Sequence, residues 1–266
     1  MFTDADAHKY VCHYTSSEAF LTHILPSLSL RMSRFENLND PRESREWACT
    51  LMVPDELMSK DWDVLGVSDR FTAFMKSNAK LLCVTRDDPS LAPERVNHLY
   101  GRGYAHPSMW DRYARGHTGV CLMLDVVELD RAVIKASSGQ ETIYHMGVSY
   151  EDMPETETLA YTVSAKSIDE YGESAVFADH QRQFHGPLYF WKSRDWAAEF
   201  EYRWVLLDGS SADIYIDIRS CLSGIVFGEA FPAGAMDMVR HVLGGSPTQF
   251  AKMRYRNGHP IVLPPN

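Results

Sequence analysis

The segment that constrains the fold most runs from residue 199 to residue 204, where charged and aromatic residues alternate without interruption. Successive side chains of a β-strand point to opposite faces, so a strand here places Glu199, Glu201 and Arg203 on one face. The aromatic residues of the other face then anchor the strand in the core. Like charges at adjacent heights need a cation, a substrate or a paired arginine beside them. We therefore expect the active site at this face, and the alternative is a half-exposed strand with cross-strand ion pairs.

Length and composition indicate a globular protein with a large core. The chain has 266 residues, of which 45% are hydrophobic and 12% aromatic, enough for one sizeable core. It contains no run of about 18 apolar residues, which a membrane-spanning helix requires. The first residues also lack the basic and apolar regions of a signal peptide. We expect a cytoplasmic protein with no membrane partner.

Charge and cysteine content limit the classes of partner. The formal charge is -10 at pH 7, from 36 acidic and 26 basic residues, which opposes broad attraction to duplex nucleic acid but allows a local basic groove. The five cysteines are scattered and odd in number, and none forms a CxxC pair. Reduced, mostly buried thiols and no structural metal site are therefore expected.

Hydrophobic periodicity and capping residues predict alternating helices and strands. Strands are predicted at residues 10–14, 28–32, 81–85, 119–125, 142–150, 200–207, 222–228 and 250–256. Helices are predicted from the capping-box pair Thr15 and Glu18 to Pro26, from Pro41 to about residue 51, around 71–75, and at 108–115, 128–135, 159–185 and 236–243. Irregular loops are predicted at 89–107 and 151–158.

The order of these elements favours one α+β domain over residues 1–266. Helices and strands intermix without a regular βαβ rhythm, and no repeat or linker divides the chain. We therefore predict mixed, largely antiparallel sheets with surrounding helices. Gly101-x-Gly103 lacks the further glycine and the strand-to-helix context of a nucleotide-binding loop, and no GxSxG elbow is present.

Several short motifs become specific when they are taken in order. They are His13-Tyr14-Thr15, Asn39-Asp40-Pro41-x-Glu43, Trp110-x2-Tyr113, His117-x-Gly119-Val120 and Lys192-x3-Trp196-x2-Glu199-x-Glu201-x-Arg203. From about residue 10 to about residue 229, this order resembles the bacterial domain-of-unknown-function family 2971. More distantly, it resembles the ADP-ribosyltransferase fold, in which a histidine on an early strand meets a glutamate on a late strand.

The second resemblance implies an enzyme that uses NAD as a substrate. It would transfer ADP-ribose to a macromolecular acceptor, protein or nucleic acid, or hydrolyse NAD, as a toxin or phage-defence effector. Glu201 would stabilise the oxocarbenium-like transition state. Glu199 would orient or deprotonate the acceptor, with a raised pKa for one member of this pair. His13 would bind the ribose or the nicotinamide amide, with Tyr14 and Thr15 setting its position.

Three further residues are candidates for NAD binding. Arg31, on the polar side of the second strand, would pair with the pyrophosphate. Trp110 and Tyr113 share a helix face and would stack on a nicotinamide or a base. Arg31 can also be interpreted as a surface residue and the aromatic pair as part of the core. His13 likewise has a structural interpretation, as a satisfied histidine. Asn39-Asp40-Pro41 is explained by a turn and helix cap, with a site role as the alternative.

Two other classes of function remain open. Asp40, Lys192, Glu199 and Glu201 would suit a metal-dependent nuclease if they converged around Mg²⁺. The same pocket would also serve a non-catalytic module that senses a ligand. The chain lacks the Ser-Thr-Ser strand of the transferases, so the second position of the catalytic triad is unassigned. The transferase-like fold predicts that His13, Glu199 and Glu201 meet in one cleft bordered by Trp110 or Tyr113.

Overall fold

An open nine-stranded sheet forms the centre of the computed structural model, which describes residues 8–91, 99–137, 139, 142–151 and 157–264. The strands are β1 (Tyr10–Thr15), β2 (Ser29–Arg31), β3 (Ser33–Arg34), β4 (Thr50–Met52), β5 (Ala79–Arg86), β6 (Val120–Asp125), β7 (Thr142–Gly147), β8 (Ser149–Tyr150), β9 (Thr162–Ser164), β10 (Trp191–Lys192), β11 (Glu201–Leu207), β12 (Tyr215–Asp217), β13 (Leu222–Phe227), β14 (Gln249–Arg256) and β15 (His259–Leu263).

Helices surround this sheet. They are α1 (Ser17–Ala19), the π-helical turn Phe20–Ile24, α2 (Leu25–Ser27), α3 (Pro41–Ser44), α4 (Val64–Ser77), α5 (Pro107–Arg112), α6 (Val126–Ala136), α7 (Glu157–Ala160), α8 (Ala165–Tyr171), α9 (Glu173–Gln183), α10 (His185–Tyr189) and α11 (Ala233–Leu243). Short 3₁₀ turns lie at Phe35–Asn37, Asp55–Leu57, Leu99–Gly101 and Arg194–Glu199.

The sheet is largely antiparallel. Its strand order is β15-β14-β13-β6-β1-β5-β11-β7, with β3 beside β5. Only β13 and β14 run parallel among the strand pairs of this sheet that the structure describes. Three two-stranded pairs, β10 with β8, β12 with β2 and β4 with β9, lie outside it. The predicted class, α+β with a mixed, largely antiparallel sheet, is confirmed.

The core occupies both faces of the sheet, because strand residues alternate between them. On one face, Leu82 and Trp204 pack beneath α6 and α11. On the other face, Leu81 and Val205 contact α4, α9 and α10, and a third cluster around Trp110 lies under α5. Helices therefore cover the sheet on both sides.

The helix predicted from Pro41 to about residue 51 begins as expected and ends early. Asp40 caps it, since Oδ1 accepts from the Arg42 N–H at 2.9 Å, and Pro41 is its first residue. The helix stops at Ser44, and Thr50–Met52 pairs as a strand with Thr162–Ser164. Tertiary pairing between distant segments overrides the local helical signal.

Two other predicted helices also differ. The segment 159–185 contains β9 and breaks again at Gly172, whose φ of +81° a glycine adopts without strain. The first helix is capped by Ser16, whose Oγ accepts from the Ala19 N–H, while Thr15 belongs to β1. Parts of the predicted loops, 92–98 and 152–156, lie outside the described residues.

The structure bears on two of the predictions, reduced cysteines and no membrane partner. All five cysteines are free. Within the described ranges, no helix combines the length and apolar character that crossing a bilayer requires.

Close backbone contact at Gly119 gives a test of this topology. A Cβ at Gly119 would lie 2.0 Å from the Thr15 carbonyl oxygen, whereas one at Gly234 meets nothing within 4 Å. We expect Gly119→Ala to lower the free energy of unfolding by about 1–3 kcal/mol, because β1 must shift away from the start of β6. Gly234→Ala, in the exposed first turn of α11, should leave it unchanged or raise it by up to ~1 kcal/mol. Urea denaturation of both variants measures this, and equal effects would contradict the described packing.

Candidate active site

The candidate site lies where two strands share one edge of β5. β1 pairs with Thr85 and Arg86, and β3 pairs with Lys80 and Leu81. Residues 82–84 between them have no strand partner on this edge within the described chain. A cavity of about 210 Å³ opens at this fork.

The cavity brings together residues that are far apart in the chain, from Cys12 to Arg203. Of the predicted site residues, those that line it are His13, Tyr14, Arg31, Tyr113, Glu199 and Glu201. As predicted, His13, both glutamates and Tyr113 line one cavity. Cys12 and Glu201 both pair with Thr85, so the side chain of His13, the next residue of β1, leaves the opposite face of the sheet from that of Glu201. Thr15 and Trp110 do not line the cavity.

Glu199 reaches the cavity by a route that differs from the prediction. It ends the 3₁₀ turn Arg194–Glu199, and Phe200 has φ +45°, so the strand begins only at Glu201. The prediction that Glu199 shares a strand face with Glu201 is thus wrong. Phe200 packs its ring on His106, with centroids 5.1 Å apart, and the chain turns sharply at this point.

Lys192 joins the two carboxylates instead. Its Nζ lies 3.0 Å from Glu199 Oε2 and 2.8 Å from Glu201 Oε2. The ammonium group is also 4.0 Å from Glu43 Oε2 and 5.0 Å from the centre of the Trp196 ring. One buried cation therefore holds three carboxylates around the floor of the cavity.

Arg203 is the second cation of this floor and is 0% exposed. Its Nε and one terminal nitrogen bind the two oxygens of Glu201 at 2.6 and 3.0 Å. The other terminal nitrogen lies 2.5 Å from Glu43 Oε1 and donates to the Tyr189 carbonyl at 2.6 Å. The planar guanidinium suits such two-pronged pairing.

The buried floor holds three carboxyl groups and two basic groups. Glu43, Glu199 and Glu201 face only Lys192 and Arg203 within it, all nearly inaccessible to solvent. Arg112, a half-exposed residue at the rim, lies 3.6 Å from Glu199 Oε1. We refer to the five buried residues as the ion cluster.

The pKa shifts in the ion cluster diverge. Burial alone would raise the pKa of Glu201, but the charges of Arg203 and Lys192 outweigh it and lower the pKa to about 2. Burial raises the pKa of Glu43, although Arg203 and Lys192 oppose this. The sequence predicts a raised pKa within the Glu199–Glu201 pair. Glu201 shifts the opposite way, and Glu43, from another element, is raised.

His13 closes the fork between the strands. Its Nδ1 lies 3.3 Å from the carbonyl oxygen of Cys83, in the unpaired part of β5. A nitrogen beside a carbonyl must carry the proton, so Nε2 is left as an acceptor in the neutral ring. Burial lowers the pKa of His13, which favours this neutral form.

The aromatic candidates separate. The Tyr113 hydroxyl donates to Glu199 Oε1 at 2.9 Å. Tyr14 lines the cavity, but its hydroxyl donates to the Gly103 carbonyl at 2.7 Å and its ring packs edge-on against Trp110. Trp110 is 0% exposed and donates from Nε1 to the Tyr104 carbonyl. The proposed NAD-stacking role of Trp110 is therefore replaced by a core role, because the indole is enclosed and its N–H is used.

Two further predicted residues differ in accessibility. Thr15 is buried at the end of β1, where it pairs with Val120, so it does not position a ligand in the cavity. Arg31 lies at the rim, exposed, with a loose ion pair to Asp213 at 3.7 Å.

Sequence reasoning assigned Glu43 no role in the site. Its place as the third helical residue after Asp40 explained it as part of a cap, but it is 2% exposed and faces Arg203. Tyr150 was missed as well, and its hydroxyl accepts from the Glu201 N–H at 2.8 Å. The one available signal for Glu43 was its place in Asn39-Asp40-Pro41-x-Glu43, one of the ordered motifs.

No group of three or more His, Cys, Asp or Glu side chains within the described residues is arranged to hold a metal ion. The site carboxylates are paired with Lys192 and Arg203 instead. A divalent cation would have to compete with the Lys192 ammonium and the Arg203 guanidinium for these carboxylates.

The depressed pKa of Glu201 gives a test by pH. A carboxyl with a folded pKa near 2 and an ordinary value of 4.5 contributes stability that is present above pH 4.5 and lost as the pH falls toward 2. The difference corresponds to roughly 3 kcal/mol. We expect Glu201→Gln to be less stable at pH 6 but to lose less free energy of unfolding between pH 5 and pH 2 than the parent. Glu128→Gln, a change on α6 away from the cavity, should keep the parental dependence, and an equal pH dependence in all three proteins would contradict the ion cluster.

Comparison with known proteins yields one match. No curated protein and no solved structure matches the chain. A family model matches from Met109 in α5 to Trp204 in β11, somewhat more than a third of the chain. The matched part contains Tyr113 and four of the five members of the ion cluster, while His13, Arg31 and Glu43 precede it. Residues 109–204 thus match the family described as a protein of unknown function, DUF2971.

Proposed function

We propose that this protein binds NAD and cleaves its nicotinamide–ribose bond, in the manner of an ADP-ribosyltransferase or NAD glycohydrolase. The proposal rests on one observation, that His13, Glu199 and Glu201 all line one cavity at the fork of the sheet. ADP-ribose passes to a macromolecular acceptor or to water. Consumption of cytoplasmic NAD suits a toxin or phage-defence effector.

The charge of the cavity supports this chemistry. Cleavage of the bond to a cationic nicotinamide ring passes through an oxocarbenium-like state. Glu201 is ionised at neutral pH, because its pKa is lowered to about 2, and Arg203 and Lys192 hold it in place. A fixed carboxylate needs no reorganisation as positive charge develops on the sugar.

Other residues of the cavity have roles that fit the same ligand. The neutral His13 ring offers Nε2 as an acceptor for a ribose hydroxyl or for the nicotinamide amide. Tyr113 lines the cavity, and its aromatic side chain is a partner for stacking by a planar ring. Arg31 at the rim is available to the pyrophosphate, since its ion pair with Asp213 is long and exposed.

The volume of the cavity bears on how NAD is held. At about 210 Å³ it is smaller than the roughly 300–1,000 Å³ of pockets that enclose drug-sized ligands. We therefore place the nicotinamide and its ribose inside, and the adenosine end along the rim beside Arg31.

The test is release of nicotinamide from NAD by the purified protein. We expect Glu201→Gln to reduce release by about 10²-fold or more, because a fixed carboxylate acts chiefly on the transition state. NAD affinity should change much less. Glu128→Gln should match the parent in release, affinity and melting temperature. Melting temperature and NAD affinity, measured on the same preparations, separate loss of catalysis from loss of fold.

Other outcomes would redirect the assignment. Unchanged release in Glu201→Gln would remove this residue from catalysis. Binding of NAD without turnover would favour a ligand-sensing module. Cleavage of nucleic acid with Mg²⁺, without nicotinamide release, would favour the metal-dependent nuclease built on Asp40, Lys192, Glu199 and Glu201.

A further inference from the structure

Arg86, the last residue of β5, has a guanidinium group without a partner. The residue is half-buried, and its Nε is inaccessible to solvent and makes no hydrogen bond. Among the described residues, the guanidinium has no ion pair either. Asp87, the next residue, is bound instead by Arg102 at 2.8 Å and by the Gly103 N–H. A charge partly removed from water normally has a partner that offsets the lost hydration. A bound anion would supply the partner that Arg86 lacks.

Gly147 provides the space that this guanidinium occupies. Arg86 and Tyr202 each follow a member of the pair Thr85–Glu201, so both side chains leave the sheet on the face opposite to Glu201. Tyr202 pairs in turn with Gly147 on β7, and a Cβ at Gly147 would lie 2.6 Å from the central carbon of the guanidinium. The backbone of Gly147 has no positive φ that would call for glycine. The missing side chain therefore has a steric role, since it lets Arg86 extend past Tyr202 toward β7.

Tyr202 and His145 supply hydrogen-bonding groups on the same face. His145 Nδ1 lies 2.8 Å from the Tyr202 hydroxyl oxygen, and His145 Nε2 lies 3.9 Å from Asp130 Oδ1. Trp204 fixes that carboxylate, because its Nε1 donates to the same oxygen at 2.9 Å. With a proton on Nδ1, the imidazole donates to the hydroxyl oxygen and leaves the hydroxyl hydrogen for a ligand.

The electrostatic surroundings of Tyr202 keep its hydroxyl a donor. Burial raises the pKa of Tyr202, and so does Asp130, whereas the charge of Arg86 lowers it. The hydroxyl therefore keeps its proton at neutral pH and lies close enough to the guanidinium to interact with its charge.

We propose that Arg86, Tyr202 and His145 bind a phosphate group at a site separate from the ion cluster. None of these three residues lines the cavity of the ion cluster. A guanidinium offers two parallel N–H donors to phosphate oxygens, and the tyrosine hydroxyl adds another. The formal charge of -10 opposes non-specific binding of polyanions. The ligand is thus inorganic phosphate or a small phosphorylated molecule, held beside β7 at the edge of the sheet. This site goes beyond the proposed cleavage of NAD and does not depend on it.

The first experiment measures stabilisation by phosphate. The melting temperature of the full chain is followed with increasing inorganic phosphate at constant ionic strength, and in parallel with AMP and with adenosine, which lacks the phosphate group. We expect a saturable rise with phosphate and AMP, because a ligand that binds only the folded state stabilises it, and none with adenosine. A larger rise with AMP than with phosphate would identify a nucleotide, and an equal or smaller one the free anion. No saturable rise with either anion, or an equal rise with AMP and adenosine, would overturn the proposal.

The second experiment removes the charge and the hydroxyl in turn. Phosphate affinity is measured by isothermal titration calorimetry. We expect Arg86→Gln to weaken it by about tenfold or more and Tyr202→Phe to weaken it a few-fold. Without phosphate, Arg86→Gln should melt at the parental temperature or above it, because an unpaired charge is removed. Arg219→Gln, which removes an exposed arginine paired with Asp217, should bind phosphate as the parent does. Unchanged affinity in Arg86→Gln or in Tyr202→Phe would overturn the site.

A third variant displaces the guanidinium without removing it. Gly147→Ala places a methyl group where the guanidinium lies, so phosphate affinity should fall several-fold. Gly234→Ala is the matched control, since its Cβ meets nothing within 4 Å, and it should keep the parental affinity. Equal phosphate affinities in these two alanine variants would contradict the position assigned to the ligand.

Discussion

The buried guanidinium of Arg203 is the interaction on which the site depends. It joins three separate parts of the chain, since it binds Glu201 on its own strand, Glu43 of α3 and the carbonyl of Tyr189 in α10. Removing a charge from water costs several kcal/mol, and only complete pairing offsets this. Loss of one partner would leave an unpaired buried charge, which typically costs about 3–5 kcal/mol. The position of the short helix α3 is thereby tied to the late strand β11.

The same pairing sets the chemical character of the cavity. Arg203 and Lys192 keep Glu201 ionised and stationary, while burial pushes Glu43 toward its neutral form. A site built in this way is already organised before a ligand arrives, which is what electrostatic stabilisation of a transition state requires. The same pairing neutralises part of the negative charge of Glu201.

Prediction from the sequence succeeded where one local pattern had one structural outcome. The aromatic alternation of β11 specified a strand, because a side-chain period of two is incompatible with a helix. The apolar runs of β5 and β6 have the short length of buried strands. It failed where distant contacts decided the conformation. The helix from Pro41 ended at Ser44, since the segment at Thr50 pairs with β9. Glu199 left the strand because the chain turns at Phe200.

The sequence by itself determined the α+β class, most strands of the central sheet, and that His13, Glu199 and Glu201 are candidates for one site. Only the tertiary structure decided that Glu43 joins them and that Trp110 belongs to the core. The physical reason is that sequence periodicity predicts which face of a sheet a side chain occupies, whereas the order of the strands determines which other side chains lie beside it. The fork between β1 and β3 on β5 creates the cavity, and no local pattern encodes it. Likewise, charges as buried as those of the ion cluster are stable only when partners more than 100 residues apart in the chain are all in place.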